Sequence, residues 1–211
     1  MRCGLVGERI VRGMAGISGA GVPIPVVTPS PNLPPGYPLE FQRIVHLHDG
    51  RRVYIRPILP SDAAELAGAI SAADAETIHR RFLGGRPQVT PELMAHLTRV
   101  DYVRLFALVA IDPARRQGVA VARYESLGDG VAEVAVAVAP AWRDAGLATE
   151  LVQLLAQAAA QRGIDAFTGT YLAENRPVAA LINDAGPTAE KVTDHGIAEF
   201  SVRLGPGTGA G

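Results

Sequence analysis

The stretch from Val131 to Thr149 constrains this chain more than any other. Val131–Ala139 alternates strictly, with Val134, Val136 and Val138 on one face and Glu133, Ala135 and Ala137 on the other. Pro140 stops the run, and Gly146–Gln161 then carries Leu147, Leu151, Leu154, Leu155 and Ala158 at helical spacing. The valines read as core, and the alanines leave a shallow strip in which Glu133 is the single charge. Between strand and helix lies Pro140-Ala141-Trp142-Arg143-Asp144-Ala145-Gly146-Leu147-Ala148-Thr149. A helix start exposes unpaired N–H groups and the positive end of the helix dipole, which suits a phosphate group. Small residues at Gly146 and Ala148 let a pyrophosphate reach the backbone, and Arg143 adds a charge-assisted donor. A lone glycine in a loop is more often a device for turning the chain. Its place between a strand and an apolar-striped helix is what favours a ligand. No G-x-G-x-x-G dinucleotide fingerprint is present.

The remaining elements surround this unit. Phe41–His48 and Arg51–Arg56 flank Asp49-Gly50, a pair suited to a type I′ hairpin. Ser61 is the expected cap of a helix over Ala63–Ile70, Ser71 and Asp74 open a second over Ala75–Phe82, and Thr90-Pro91 opens a third. Strands are expected at Val103–Ile111, Gly118–Leu127 and Val131–Val138. After the central helix come a strand at Asp165–Tyr171, a helix at Arg176–Ala185, and a closing pair at Glu190–Thr193 and Ile197–Leu204.

Of the 211 residues, 48% are apolar and 19% charged, enough apolar material for one buried core. Residues 1–38, crowded with Gly and Pro, are expected to be a disordered tail dispensable for folding; 39–205 form the folded domain and 206–211 a second tail. A net charge of -1 gives no general attraction to nucleic acid or anionic membrane. The single cysteine, Cys3, precludes an internal disulfide, and no Cys/His cluster has zinc spacing. Glu8, Arg9 and Arg12 interrupt any apolar leader, and no run is long enough to span a bilayer. A cytoplasmic protein is expected. His46 and His48 share a strand face, which reads as a solvated hairpin face rather than a metal pair.

Arg143-Asp144-Ala145-Gly146-Leu147-Ala148, after the strand, resembles the acetyl-CoA signature of the GNAT superfamily of N-acetyltransferases. The order of elements agrees from about Arg43 to Leu204. Three further strings resemble the bacterial protein-lysine acetyltransferase branch: Asp49–Pro57, Leu97–Tyr102 and Leu172–Pro177. The resemblance implies an α/β GNAT fold, with a mixed, mostly antiparallel sheet, splayed central strands and flanking helices. It implies acetyl-CoA as acetyl donor. The pantetheine arm is then expected to pair with Ala135, Val136, Ala137 and Val138 like an added strand. The pyrophosphate is expected on the loop from Arg143, Asp144 and Ala145 through Gly146, Leu147, Ala148 and Thr149, and Asn175 is expected to contact pantetheine. Asn175 is also a natural helix N-cap.

Acetyl transfer requires a neutral amine, whereas a lysine side chain, with a pKa of about 10.4, is mostly protonated at neutral pH. A partly buried carboxylate can take that proton. From its own residues Glu133 reads more readily as a solvent-facing strand glutamate; the resemblance implies a general base, with a protein lysine as acceptor. Many relatives place a tyrosine on the helix after the asparagine to protonate the departing thiolate. Arg176–Ala185 has none, which leaves Tyr124, Tyr171 or water. Two other readings stay open: acetylation of a small amine, and a catalytically idle acyl-CoA-binding module.

Overall fold

The computed structural model describes residues 33–82, 87–185, 188–192 and 196–204. The tail expected over residues 1–38 lies outside them up to residue 32, as does that over 206–211. Among the described residues eight strands form one sheet: β1 (Arg43–His46), β2 (Arg52–Pro57), β3 (Leu105–Asp112), β4 (Gln117–Gly128), β5 (Val131–Val138), β6 (Ala166–Leu172), β7 (Thr188–Val192) and β8 (Ile197–Arg203). Their order is β1-β2-β3-β4-β5-β6-β8-β7. Every pairing is antiparallel except β5 with β6. The helices are α1 (Ala63–Ala72), α2 (Ala75–Phe82), α3 (Pro91–Thr98), α4 (Leu147–Ala160) and α5 (Arg176–Ala185). The mixed, mostly antiparallel sheet with flanking helices is the expected fold.

The main core lies between α4 and one face of β3–β5. Leu147, Leu151, Leu154, Leu155 and Ala158 meet Phe106, Leu108, Ala122, Tyr124 and Ala132 there. Burial of each leucine contributes about 1.5–3 kcal/mol relative to exposure. Phe106 and Tyr124 stack at 5.5 Å across the β3–β4 pair. A second cluster of Ile70, Ile78 and Met94 joins α1, α2 and α3. Strand alternation places Glu125, which α3 approaches through His96, on the sheet face opposite Tyr124.

Three local expectations are corrected. A type I′ turn needs positive φ at both central residues, yet only Gly50 of the Asp49-Gly50 pair has it, at 83°. The Asp49 carboxylate instead accepts from the Arg51 backbone N–H at 3.0 Å and from its Nε at 2.7 Å. Ser61 does not cap α1. Pro60–Asp62 forms a single 3-10 turn, and Asp62 accepts from the Leu59 N–H at 2.7 Å and from Arg56 at 2.7 and 2.8 Å. Contacts with the domain also begin before Leu39. Tyr37 packs edge-on against Tyr102 at 5.5 Å and donates to the Pro57 carbonyl at 3.3 Å. Two expected caps are present: Asp74 accepts from the Thr77 N–H at 2.6 Å and Thr90 from the Leu93 N–H at 3.2 Å.

Candidate active site

β5 pairs with β6 only through Val131↔Ala166, Ala132↔Phe167 and Glu133↔Thr168. Beyond Glu133 the two strands part, while β5 stays paired to β4 as far as Val138. Val134–Val138 therefore offers unpaired backbone groups on one edge. Gly169 sits where the strands diverge. A Cβ there would stand 3.1 Å from the Val134 carbonyl and 2.9 Å from the Phe200 ring, so any side chain at this position would have to displace that ring and crowd the carbonyl. Between the strands opens a cavity of about 730 Å³.

Glu133 and every residue expected to contact acetyl-CoA line this cavity except Ala145. Ala145 is 2% exposed, belongs to the core, and its carbonyl accepts from the His48 N–H at 3.2 Å. Its small side chain is needed for packing.

The wide end of the cavity holds the start of α4. Gly146 is the N-cap, with φ 86° and no side-chain cap, so the N–H groups of the first turn at Leu147, Ala148 and Thr149 lack intrahelical partners. Gly146 is required for a reason the sequence did not disclose. A Cβ on it would lie 2.9 Å from His48 Cε1, so the hairpin between β1 and β2 props the loop from behind. Arg143 donates to Thr77 Oγ1 at 2.9 Å and to the Val138 carbonyl at 3.3 Å. The Thr77 backbone N–H, then its hydroxyl, hold the Asp74 carboxyl below its usual pKa, with a smaller pull from Arg143. An Asp74–Thr77–Arg143 chain thus ties α2 to the loop. Thr77 lines the cavity too, and nothing in its local sequence announced it.

The narrow end holds Glu133. It was expected to be partly buried, but in the protein alone it is exposed, because β6 covers only its backbone. Its carboxylate makes no hydrogen bond or ion pair with the described residues. Ala135 and Ala137 follow it along the cavity wall, and Val134, Val136 and Val138 pack against the core.

Asn175, 8% exposed, also lines the cavity. Its backbone carbonyl accepts from Val178 and Ala179 at 3.0 and 3.1 Å, which starts α5, while its side chain makes no cap. The side chain is thus left to the cavity. The two tyrosines weighed for proton donation separate clearly. Tyr124 is in the core, donates to the Val103 carbonyl at 3.0 Å, and burial pushes its pKa up to about 12. It does not line the cavity. Tyr171 does, beside Phe200.

A free strand edge leading to an uncapped helix start with an arginine fits a long donor molecule with a polyanionic end. Among the described residues no helix is long and apolar enough to cross a membrane, and no acidic, His or Cys cluster could hold a metal.

Comparisons with known proteins agree with this geometry. The family described as "Acetyltransferase (GNAT) domain" matches residues 52–188. Acetyltransferase PA5475 of Pseudomonas aeruginosa is 29% identical over 70% of this chain and 81% of its own length. Acetyltransferase Pat of Mycolicibacterium smegmatis is 28% identical over 67% of this chain, which spans 43% of that longer protein. Among solved structures, the GNAT domain of S. lividans PAT superposes with a TM-score of 0.71 at 28% identity, covering 80% of this chain and 99% of that one. The yncA protein of Salmonella typhimurium, solved with acetyl-CoA, shares the fold at a TM-score of 0.57 and 16% identity, over 75% and 98% of the two chains. The chain belongs to the GNAT acetyltransferase family: it is an acetyl-CoA-dependent acetyltransferase that resembles the Pat branch.

Proposed function

We propose that the protein transfers the acetyl group of acetyl-CoA to a protein lysine, in a ternary complex, with Glu133 as general base. The observation that carries this reading is the unpaired Glu133 carboxylate at the apex where β5 and β6 part, on the same cavity as the start of α4. The pyrophosphate would take the N–H groups of the first turn of α4, and Arg143 would supply a charge. The pantetheine arm would pair with the edge of Ala135–Val138, and the Asn175 amide would bind one of its peptide-like groups. That course brings the thioester to the apex. A backbone N–H of β5 would polarise its carbonyl.

The acceptor arrives as an ammonium ion, and Glu133 takes one proton, directly or through a water. The amine nitrogen attacks the thioester carbon, the C–N bond forms and the C–S bond breaks. As the intermediate collapses the nitrogen sheds its second proton to become the amide, and the departing thiolate takes up one proton, either from the Tyr171 hydroxyl, which the proton shed by nitrogen restores through water, or from water itself. With a thiol pKa of about 8.5 the thiolate is a good leaving group, so this last step needs little help. Work in the cytoplasm, where acetyl-CoA and lysine-bearing proteins meet, accords with this reading. An idle binding module would have no use for an unpaired carboxylate at the apex.

The test is to incubate enzyme and acetyl-CoA with dialysed cell extract and map acetylated lysines by mass spectrometry. Enzyme-dependent acetyl-lysine is expected. Its absence, together with brisk turnover on a free small amine, would reassign the acceptor.

A further inference from the structure

Glu133 does not stand alone on its sheet face. The β4–β5 register sets Glu125 directly across from it, and Arg123 directly across from Ala135. Residues opposite one another on an antiparallel pair have Cβ atoms about 4.5–5.5 Å apart, and like charges so placed repel. A folded protein tolerates such a pairing where something else benefits from it.

Arg123 deepens the anomaly. It is 8% exposed, and its Nη2 is fully buried with no hydrogen-bond partner. Burial pulls its pKa below the ordinary value, and Glu125 and Glu133 oppose that pull, so the guanidinium acts on both carboxylates. Yet it forms no ion pair with either. His96 Nε2 lies 3.7 Å from Glu125 Oε2, an ion pair only when the imidazole is protonated. With neutral His96, the group carries two negative charges and one positive. One further cation balances it. Glu125 and His96 are both about half exposed, so the approach from solvent is open.

We propose that Glu125 is a specificity-determining residue, whose carboxylate joins that of Glu133 to receive the cationic head of the acceptor before its proton is lost. The class of acceptor it selects is a primary ammonium on a flexible alkyl arm, as a lysine side chain presents. Glu133 then takes the proton and Glu125 remains charged beside the site. This rests on Glu133 being at the acceptor end of the cavity. It adds that acceptor affinity and deprotonation reside in two different carboxylates.

The experiment compares wild type, Glu125→Gln and Glu125→Asp, with a lysine-containing peptide and with n-butylamine as acceptors, at low and moderate salt. Glu125→Gln is expected to raise acceptor KM about 5- to 30-fold, the range for a half-exposed charge pair near a protein surface, and to weaken the salt dependence of KM. The kcat and the acetyl-CoA affinity are expected within about twofold of wild type, and Glu125→Asp is expected to recover part of the KM. If wild type acetylates n-butylamine but not the peptide, the protein-lysine reading fails; a raised KM for n-butylamine in Glu125→Gln still supports the carboxylate pair. An unchanged KM for whichever acceptor wild type uses overturns the proposal. So does a lowered melting temperature with KM unchanged, which would assign Glu125 to supporting Arg123.

Discussion

The imidazole of His48 rests against Gly146: a Cβ built on that glycine would meet Cε1 at 2.9 Å and Nε2 at 3.1 Å. The residue that opens α4 is therefore held from two sides, by a φ of 86° and by a ring from a hairpin nearly a hundred positions earlier. Gly146→Ala is expected to cost about 1–3 kcal/mol, from left-handed strain plus the clash. Adding His48→Ala is expected to return the clash component and leave the strain. Denaturant midpoints of the two single variants and the double variant measure that coupling; strict additivity would contradict the contact.

Because a side chain at position 146 meets His48, substitution there cannot cleanly report on the cofactor. Ala148 can. It lines the cavity in the first turn of α4, where an acidic residue favours the helix dipole. Ala148→Glu is expected to keep or slightly raise the melting temperature of the free protein. It is also expected to abolish the stabilisation by acetyl-CoA, since the new carboxylate competes for the same N–H groups. A normal thermal shift with acetyl-CoA would place the pyrophosphate elsewhere.

Proton delivery to the departing thiolate separates the two candidate tyrosines. Tyr171→Phe is expected to lower kcat with little loss of stability. Tyr124→Phe removes a hydrogen bond to Val103 and is expected to cost about 1 kcal/mol of stability with kcat preserved. Equal kcat in Tyr171→Phe and wild type would leave water as the proton source.

Tyr37 sets the edge of the domain. A chain starting at Leu33 is expected to melt with the full-length protein. One starting at Leu39 loses the packing on Tyr102 and the bond to Pro57, a loss of about 1–2 kcal/mol. Identical melting of the two truncations would show that the segment up to Pro38 adds nothing.

Local pattern carried much of this reading. The alternation of Val131–Ala139 and the leucine spacing of α4 are periodic signals, and both elements lie where those signals put them. The uncapped start of α4 at Gly146 also lies where the sequence put it. What stayed hidden depends on distant partners. The role of Gly146 toward His48, Thr77 behind Arg143, and Gly169 beneath Phe200 all join positions far apart in the chain. Ala145 was grouped with the loop because of its neighbours, which line the cavity; its own contact is with the hairpin, which leaves no local trace. Ser61 failed as a cap because Asp62, one residue on, reaches both Leu59 and Arg56.

The central claim is that Glu133, whose carboxylate has no hydrogen bond or ion pair among the described residues at the apex of the cavity, is the base that makes the amine nucleophilic. The most direct measurement is kcat of Glu133→Gln against wild type across pH, alongside acetyl-CoA affinity by calorimetry. The substitution keeps size and removes basicity. A fall in kcat of about 10²–10⁴-fold at neutral pH is expected, shrinking as rising pH deprotonates the amine unaided, with acetyl-CoA affinity nearly unchanged. A Glu133→Gln enzyme that turns over at the wild-type rate throughout the pH range would contradict it.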